Sequence, residues 1–416
     1  MSDGPLRILA LADVSPVVVR GGGERMLRES AWRLAARGHQ VRVVSRAPDA
    51  GTPRVVQDGG VTVRHFGAGR STLLGFLRGA LLQARRAALA EIEAFRPDVL
   101  HVHQPVAGAG VVARAAARGI PTLYTFHSSA PLEYRARRGA SARHLGGLAG
   151  WAGAAVLGAL ERACVARAAR VHVLSDFSAA QLRALHGVDT SRMVKVPGAA
   201  DTERFRPADD RAALRTALGW PRDRPVVLTV RNLEARMGLD TLLQAMVRVG
   251  AAEPGAVLVV GGEGSLREPL ARLAAALGVH DRVRLVGRIA EAALAAHYQA
   301  ADVFVLPTRA LEGFGLVAAE ALACGTPVIG TAIGAIPEVL DGLGSEWLVP
   351  HDAGALATAL TDALQRSRRD PGGWAALRRR CRAHAVTRLS WDATIDGLER
   401  ELRALAAGAV RAGALA

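Results

Sequence analysis

The sequence predicts an α/β protein built from two parallel-sheet domains, and three observations carry that expectation. Short runs of β-branched and aliphatic residues alternate with Ala/Leu-rich helical stretches along most of the 416 residues, the pattern of parallel strands covered by helices. That length suits roughly two or three domains, each able to bury a sizeable core. Between the two strand–helix series, residues 196–225 carry Pro197, Pro207, Pro221 and Pro225 among many charges, as a linker with a short helix would.

The opening run MSDGPLRILALADVSP lacks the basic start and long apolar stretch of a signal peptide and reads as a strand over 6–12. Further strands are expected at 40–46, 61–66, 98–103, 121–126 and 170–175, then at 225–230, 256–262, 282–287, 302–307 and 327–332. These place a first domain at 1–206, a second at 207–389 and a helical tail at 390–416. In that tail Ile395, Leu398, Leu402 and Leu405 recur at helical spacing, which lets it pack on either domain.

Half of the residues are apolar and only 22% are charged, which excludes global disorder. Aromatic residues are 4%, so the core is Ala, Val and Leu. Residues 1–200 hold 27 Lys plus Arg against 13 Asp plus Glu, a net +14 of the chain's +15. A basic half attracts anionic partners. Its charge is dispersed and no nucleic-acid module is recognised, so nucleic acid is not an expected partner.

Cys164, Cys324 and Cys381 lie far apart, which fits a reducing cytoplasm and suggests neither a disulfide framework nor a zinc site. No stretch reaches the roughly 20 apolar residues of a membrane span. The nearest is the uncharged run 145–160, flanked by Arg143, His144, Glu161 and Arg162. A core helix is its expected use, and a peripheral membrane contact is the alternative.

The strongest local feature is ADVFVLPTRALEGFGLVAAEALACGTPVIGTAIGAIPEVL, residues 301–340. A strand runs into a loop with Gly313 and Gly315, and a helix begins at once. Its free N–H groups and positive dipole end suit a phosphate or a developing anion. Glu312 and Glu320 frame this turn eight residues apart. Ionised carboxylates there suit sugar or ribose hydroxyls, to which they offer charge-assisted hydrogen bonds.

Glu312, Gly313, Phe314, Gly315 and Glu320, followed by ALACGTPVIG and IPEVL, resemble glycosyltransferase family 4: retaining enzymes with the GT-B fold, two Rossmann-like domains facing across a central crevice. The resemblance runs through nearly the whole chain. It implies transfer of a hexose-type sugar from a nucleoside-diphosphate donor, UDP or GDP, to a hydroxyl acceptor, with the nucleotide-sugar as substrate and no cofactor. Glu320 would bind the ribose, while Glu312 and the backbone of Phe314, Gly315 and Leu316 would hold the transferred sugar. His127, closing the strand TLYTF, would reach that sugar. Gly21, Gly22 and Gly23 before Glu24 match the family's G-G-x-E loop, expected to close over the diphosphate.

The family's diphosphate-binding Arg and Lys fall, counted from Gly238, on Asn232 and Met237. Arg231 and Arg236 repeat their interval one position earlier. A one-residue shift along a strand reverses the face, so Arg236 is expected to reach the diphosphate before Arg231. Gly262, in GGEGSL, would sit beside the nucleotide, and Arg288 and Ile289, in VGRI, beside the base. His101 and His103 share a strand face and are read as crevice lining rather than a metal site. No D-x-D occurs, so Arg and helix N-termini would carry the leaving charge without a metal. The replaced Arg and Lys keep a second reading in view, a nucleotide-sugar-binding protein or an epimerase or hydrolase on the same scaffold. The segment TFHSSAPLEYRARR, with Glu133 and Arg135, is expected to shape acceptor choice.

Overall fold

The computed structural model describes residues 4–67, 73–138 and 146–414; Arg143, His144 and Leu145 lie outside them. The chain divides into two compact units, Met1–Pro197 with Asp392–Ala416, and Gly198–Trp391.

The first unit contains, in chain order, β1 (Arg7–Ala12), α1 (Gly22–Ala36), β2 (Gln40–Arg46), β3 (Val55–Asp58), β4 (Val61–Phe66), α2 (Leu73–Phe95), β5 (Val99–Val102), α3 (Pro105–Ala109), α4 (Val112–Ala116), β6 (Thr122–Phe126), α5 (Ala130–Arg138), α6 (Gly146–Arg167), β7 (Arg170–Val173), α7 (Asp176–His186) and β8 (Met193–Lys195). Its sheet has the order β3-β4-β2-β1-β5-β6-β7-β8. β1, β5 and β6 are buried along nearly their whole length, as strands covered by helices on both faces must be. Among the described strands β3 alone runs antiparallel, paired with β4 across Gly59 and Gly60, both at positive φ. That is the two-residue hairpin turn that glycine permits.

The second unit contains α8 (Arg211–Ala217), β9 (Val226–Val230), α9 (Leu239–Ala252), β10 (Val257–Gly261), α10 (Arg267–Ala276), β11 (Val283–Gly287), α11 (Glu291–Ala300), β12 (Val303–Leu306), α12 (Leu316–Ala323), β13 (Val328–Thr331), α13 (Ile336–Leu340), β14 (Leu348–Val349), α14 (Ala353–Arg369) and α15 (Pro371–Arg388). All its strands are parallel, in the order β11-β10-β9-β12-β13-β14. This is the doubly wound order, whose direction reverses between β9 and β12.

The unit boundary comes at Pro197–Gly198, earlier than the 206/207 read from the proline pattern. Residues 198–206 are tied to the second unit: Ala200 bridges Ser390, Arg204 pairs with Glu291 at 3.0 Å, and Phe205 lies edge-on to Tyr298. The tail forms α16 (Trp391–Ala414) and from Asp392 belongs to the first unit. There Ile395, Leu398 and Leu402 are buried, and Glu399 accepts from Arg37 and Arg403, each at 2.9 Å. Burial alone would raise the Glu399 pKa, but hydrogen bonds from Arg37, Arg403 and His39 outweigh it and bring the carboxyl to about 2.

Candidate functional site

In a doubly wound sheet, ligands bind beyond the carboxyl ends of the strands where the winding reverses. In the second unit that point lies between β9 and β12, and the sequence places a cation on one side and an acid on the other. Arg231 follows β9. Its Nη1 donates to Thr308 Oγ1 at 2.6 Å and its Nη2 to Glu312 Oε2 at 2.5 Å. Thr308 Oγ1 in turn donates to the same carboxylate oxygen at 3.1 Å. Both ends of the pair are largely buried, with 4% and 13% of the side chains exposed.

The loop between β12 and α12 is held from several directions. Arg236 Nη1 donates to the carbonyl of Leu311 at 2.9 Å, and Arg309 N–H donates to the carbonyl of Arg236 at 2.9 Å. Thr331 Oγ1 donates to Thr308 O at 2.6 Å, and Ala335 N–H to Glu312 O at 3.0 Å. Leu311 sits at φ 60, a costly conformation for a branched side chain that persists only where its surroundings fix it. The strain lies next to the acid singled out from sequence.

Both arginines thus converge on one loop, and Arg231 is the more deeply placed. Arg231 stands just past the end of β9 at Val230, and its guanidinium reaches Glu312, so the structure brings both arginines to this loop. Asn232, at the family's Arg place, is exposed, and Met237, at its Lys place, is buried.

Gly315 caps α12 at φ 94. Phe314 and Leu316 are buried, and both ring and side chain lie so close to Gly198 that a Cβ there would come within 2.6 and 2.8 Å of them. Glu320 is 1% exposed and accepts from Tyr298 Oη at 2.8 Å, so it is no solvated helix residue. Gly262 follows β10, and its N–H donates to Gly287 O at 2.7 Å. That bond brings the 286–289 segment beside the glycine loop, with Ile289 against Gly261; Arg288 is exposed.

In the first unit the winding reverses between β1 and β5. Asp13, just past β1, accepts from the N–H groups of Ala107 and Val106 at 2.5 and 3.1 Å. Burial pushes its carboxyl up to about 6 against those hydrogen bonds and the charge of Arg46. Gly21 and Gly22 open α1. None of Gly21–Gly23 has a positive φ, so a turn does not require them. Gly23 instead lies against Gln104, whose Nε2 a Cβ would approach to 3.2 Å.

Behind this end runs a histidine network. His172 Nε2 bonds the carbonyl of Val196 at 2.8 Å, and a carbonyl only accepts, so Nε2 carries the proton. Its Nδ1 then accepts from Thr125 Oγ1 at 3.0 Å, which accepts from His101 Nε2 at 2.7 Å. His103 Nδ1 is 3.2 Å from His127 Nε2, and the two rings stack. Burial, then repulsion from His172, pushes His127 down to about 3; burial, then His172 and His127, brings His101 to about 3. His172 falls to about 4 through burial, opposed by its bond to Val196. Among the described residues no group of three or more His, Cys, Asp or Glu is arranged to hold a metal ion.

These imidazoles fold neutral, with pKa values below their ordinary 6.5. Their stabilisation is therefore complete above that value and declines as pH falls toward the folded values. At one pH unit below the ordinary value each such imidazole should cost about 1.4 kcal/mol. Urea midpoints recorded between neutral pH and pH 5.5 check this, and a flat profile would count against neutral burial.

Sequence reasoning missed Asp13, Thr125, His172 and Tyr298. Only Asp13 carried a local signal, its place directly after the first strand. Glu133 is bonded by Ser128 at 2.6 Å, and Arg135 lies over the Trp151 ring at 4.5 Å.

Comparison with known proteins matches two successive family models to the chain. A family model described as Glycosyltransferase Family 4 covers residues 20–204, and one described as Glycosyl transferases group 1 covers 210–385. The chain is 34% identical to the D-inositol 3-phosphate glycosyltransferase of Geodermatophilus obscurus over 422 aligned residues, covering 95% of this chain and 88% of that protein. Sucrose-phosphate synthase from Thermosynechococcus elongatus superposes with a TM-score of 0.80 at 27% identity, covering 97% of this chain and 100% of the other. HepE from Anabaena, solved with UDP and glucose, shares the fold at TM-score 0.74 and 18% identity, covering 96% and 99%. The two doubly wound sheets, the strand–glycine–helix turn with its paired acids, and relatives spanning nearly the whole chain have one reading: the chain belongs to glycosyltransferase family 4, has the GT-B fold and is a glycosyltransferase.

Proposed function

We propose that the enzyme transfers a hexose-type sugar from a nucleoside-diphosphate donor to a hydroxyl acceptor with retention of anomeric configuration. The observation that carries this is the convergence of Arg231, Arg236 and Glu312 at the switch point of the second sheet, beside the amino end of α12. A donor diphosphate leaves with developing negative charge, and fixed guanidinium groups and helix amides meet that charge without reorganising. They serve in place of a metal, and the chain needs no cofactor. In this reading Glu320 holds the ribose hydroxyls. Glu312 and the backbone of Phe314, Gly315 and Leu316 hold the sugar, and Gly262, Arg288 and Ile289 flank the nucleotide. In the first unit, His127 and the amides of Gly21 and Gly22 are proposed as sugar- and phosphate-binding groups.

The acceptor oxygen attacks the anomeric carbon on the face the diphosphate leaves. The bond from that carbon to the diphosphate oxygen breaks, a bond to the acceptor oxygen forms, and the acceptor proton passes to the departing diphosphate. No protein nucleophile is consumed. The donor is a UDP- or GDP-sugar, and HepE, a protein of the same fold, is known with UDP and glucose. The net +14 of residues 1–200 and the named substrate of the Geodermatophilus relative both favour a phosphorylated hydroxyl acceptor.

Titration calorimetry with UDP and GDP tests the donor assignment. One of them should bind, and Glu320→Ala should weaken that binding by at least about tenfold, the loss expected from removing a charged hydrogen-bond partner. Unchanged affinity would take Glu320 out of the ribose site, and binding of neither nucleotide would refute the donor class.

A further inference from the structure

Helix α6 is apolar on two opposite faces, and among the described residues only one of them is covered. Ala154, Leu157, Cys164 and Val165 are buried, and through that face the helix packs on α3 and α5. The other face points to solvent. Trp151 is 63% and Val156 44% exposed, and Ala152, Ala155 and Ala159 between and beyond them are exposed as well. A surface helix ordinarily turns polar side chains outward, yet no charged or hydrogen-bonding side chain apart from the Trp151 indole occurs from 146 to 160. A contiguous apolar strip of this kind marks an interaction surface.

The charge around the strip selects its partner. Residues 112–170 contain nine Arg and two acids, Glu133 and Glu161. Glu161 is fully buried, where its carboxylate accepts from Ala130 N–H and pairs with His186, each at 3.2 Å. Glu133 is held by Ser128. The more exposed charged side chains beside the strip are basic: Arg135, whose guanidinium lies 4.5 Å from the Trp151 ring centre, and Arg162 at the far end of the strip. Two copies of this chain meeting through the strip would bring like charges together. An anionic bilayer offers the opposite sign around an apolar interior. An indole capped by a guanidinium has one greasy and one wet end, as suits the headgroup region.

We propose that the outward face of α6, formed by Trp151, Ala155, Val156 and Ala159, rests in the headgroup region of an anionic lipid surface, with Arg135 and Arg162 on the lipid phosphates. The helix lies along the surface, because its Leu157 and Cys164 face is committed to α3 and α5. This docking is independent of the donor assignment above.

Co-sedimentation of the full chain with vesicles tests it, comparing phosphatidylcholine alone with phosphatidylcholine containing one third phosphatidylglycerol, at low and raised salt. The chain should sediment with the anionic vesicles and be released by salt. Trp151→Ala combined with Val156→Asp should reduce the bound fraction at least about tenfold, and Arg135→Ala should weaken binding to the anionic vesicles. Val386→Asp, at a valine of the second unit that is 41% exposed, should bind as the parent does. Both valines are exposed, so the variants should keep the parent thermal transition. Failure to sediment with either vesicle, equal sedimentation with both, or undiminished binding of the double variant would overturn the proposal. So would a dimer in sedimentation velocity that the double substitution dissociates while vesicle binding is absent.

Discussion

Replacing Arg231 with alanine is expected to cut turnover of the folded enzyme by about two to three orders of magnitude, the loss that follows removal of one preorganised charge from a developing anion. Two separate effects meet at this side chain. Its guanidinium is fixed on Thr308 and Glu312, at the point where the proposed diphosphate departs. It is also the cation of a largely buried ion pair, and breaking such a pair leaves a carboxylate without its partner at a cost of about 3 to 5 kcal/mol. Arg231→Lys separates the two. Lysine restores a positive charge but not the planar fork that spans Thr308 and Glu312 together, so stability should recover more than turnover. Steady-state kinetics alongside thermal unfolding decide the matter. Alanine and lysine variants that differ only in the fraction folded, each with parental turnover per folded molecule, would make Arg231 a purely structural residue.

Arg231 also shows where sequence reasoning reached and where it stopped. Glu312, Gly315 and Glu320 were legible because they belong to one strand, one turn and one helix, so their relation is fixed by local geometry. Eleven of the strands were legible for a similar reason, since each is a run of aliphatic and β-branched residues between turn residues. β3, β8 and β14 were not. They are two to four residues long, and β8 and β14 owe their extended form to pairing with β7 and β13 rather than to composition. The partners Thr308, Tyr298 and His172 stayed hidden because they depend on which strands and helices become neighbours. Thr125 stands opposite His172 only once β6 pairs with β7 in its observed register. The partners of Arg231 stayed hidden for the same reason, since Thr308 and Glu312 come within its reach only once β12 lies beside β9.

Gly262→Ala is expected to destabilise the second unit by more than about 4 kcal/mol, well beyond the usual range for a surface turn. The reason is not the ligand approach for which a glycine loop is usually read. Gly262 has φ 135, and a Cβ on it would stand 1.8 Å from the carbonyl oxygen and 2.8 Å from the carbonyl carbon of Arg231. Both atoms are backbone, so no rotamer change relieves the overlap. The turns after β9 and β10 must move apart, which breaks the bonds from Gly262 N–H to Gly287 O at 2.7 Å and from Arg231 N–H to Gly261 O at 2.9 Å. Gly278→Ala is the matched control. Its φ is 68 but nothing lies within 4 Å of the added carbon, so it should cost only about 1 kcal/mol of backbone strain. Thermal unfolding of both variants measures the difference, and similar losses would mean that the close approach of the two turns is not maintained in solution. Where Gly262→Ala retains some folded protein, its turnover should fall toward that of Arg231→Ala, because the displaced backbone carries the guanidinium with it. The glycine then acts on the reaction through the arginine it accommodates, and alanine at 262 combined with alanine at 231 should lose little more turnover than either alone.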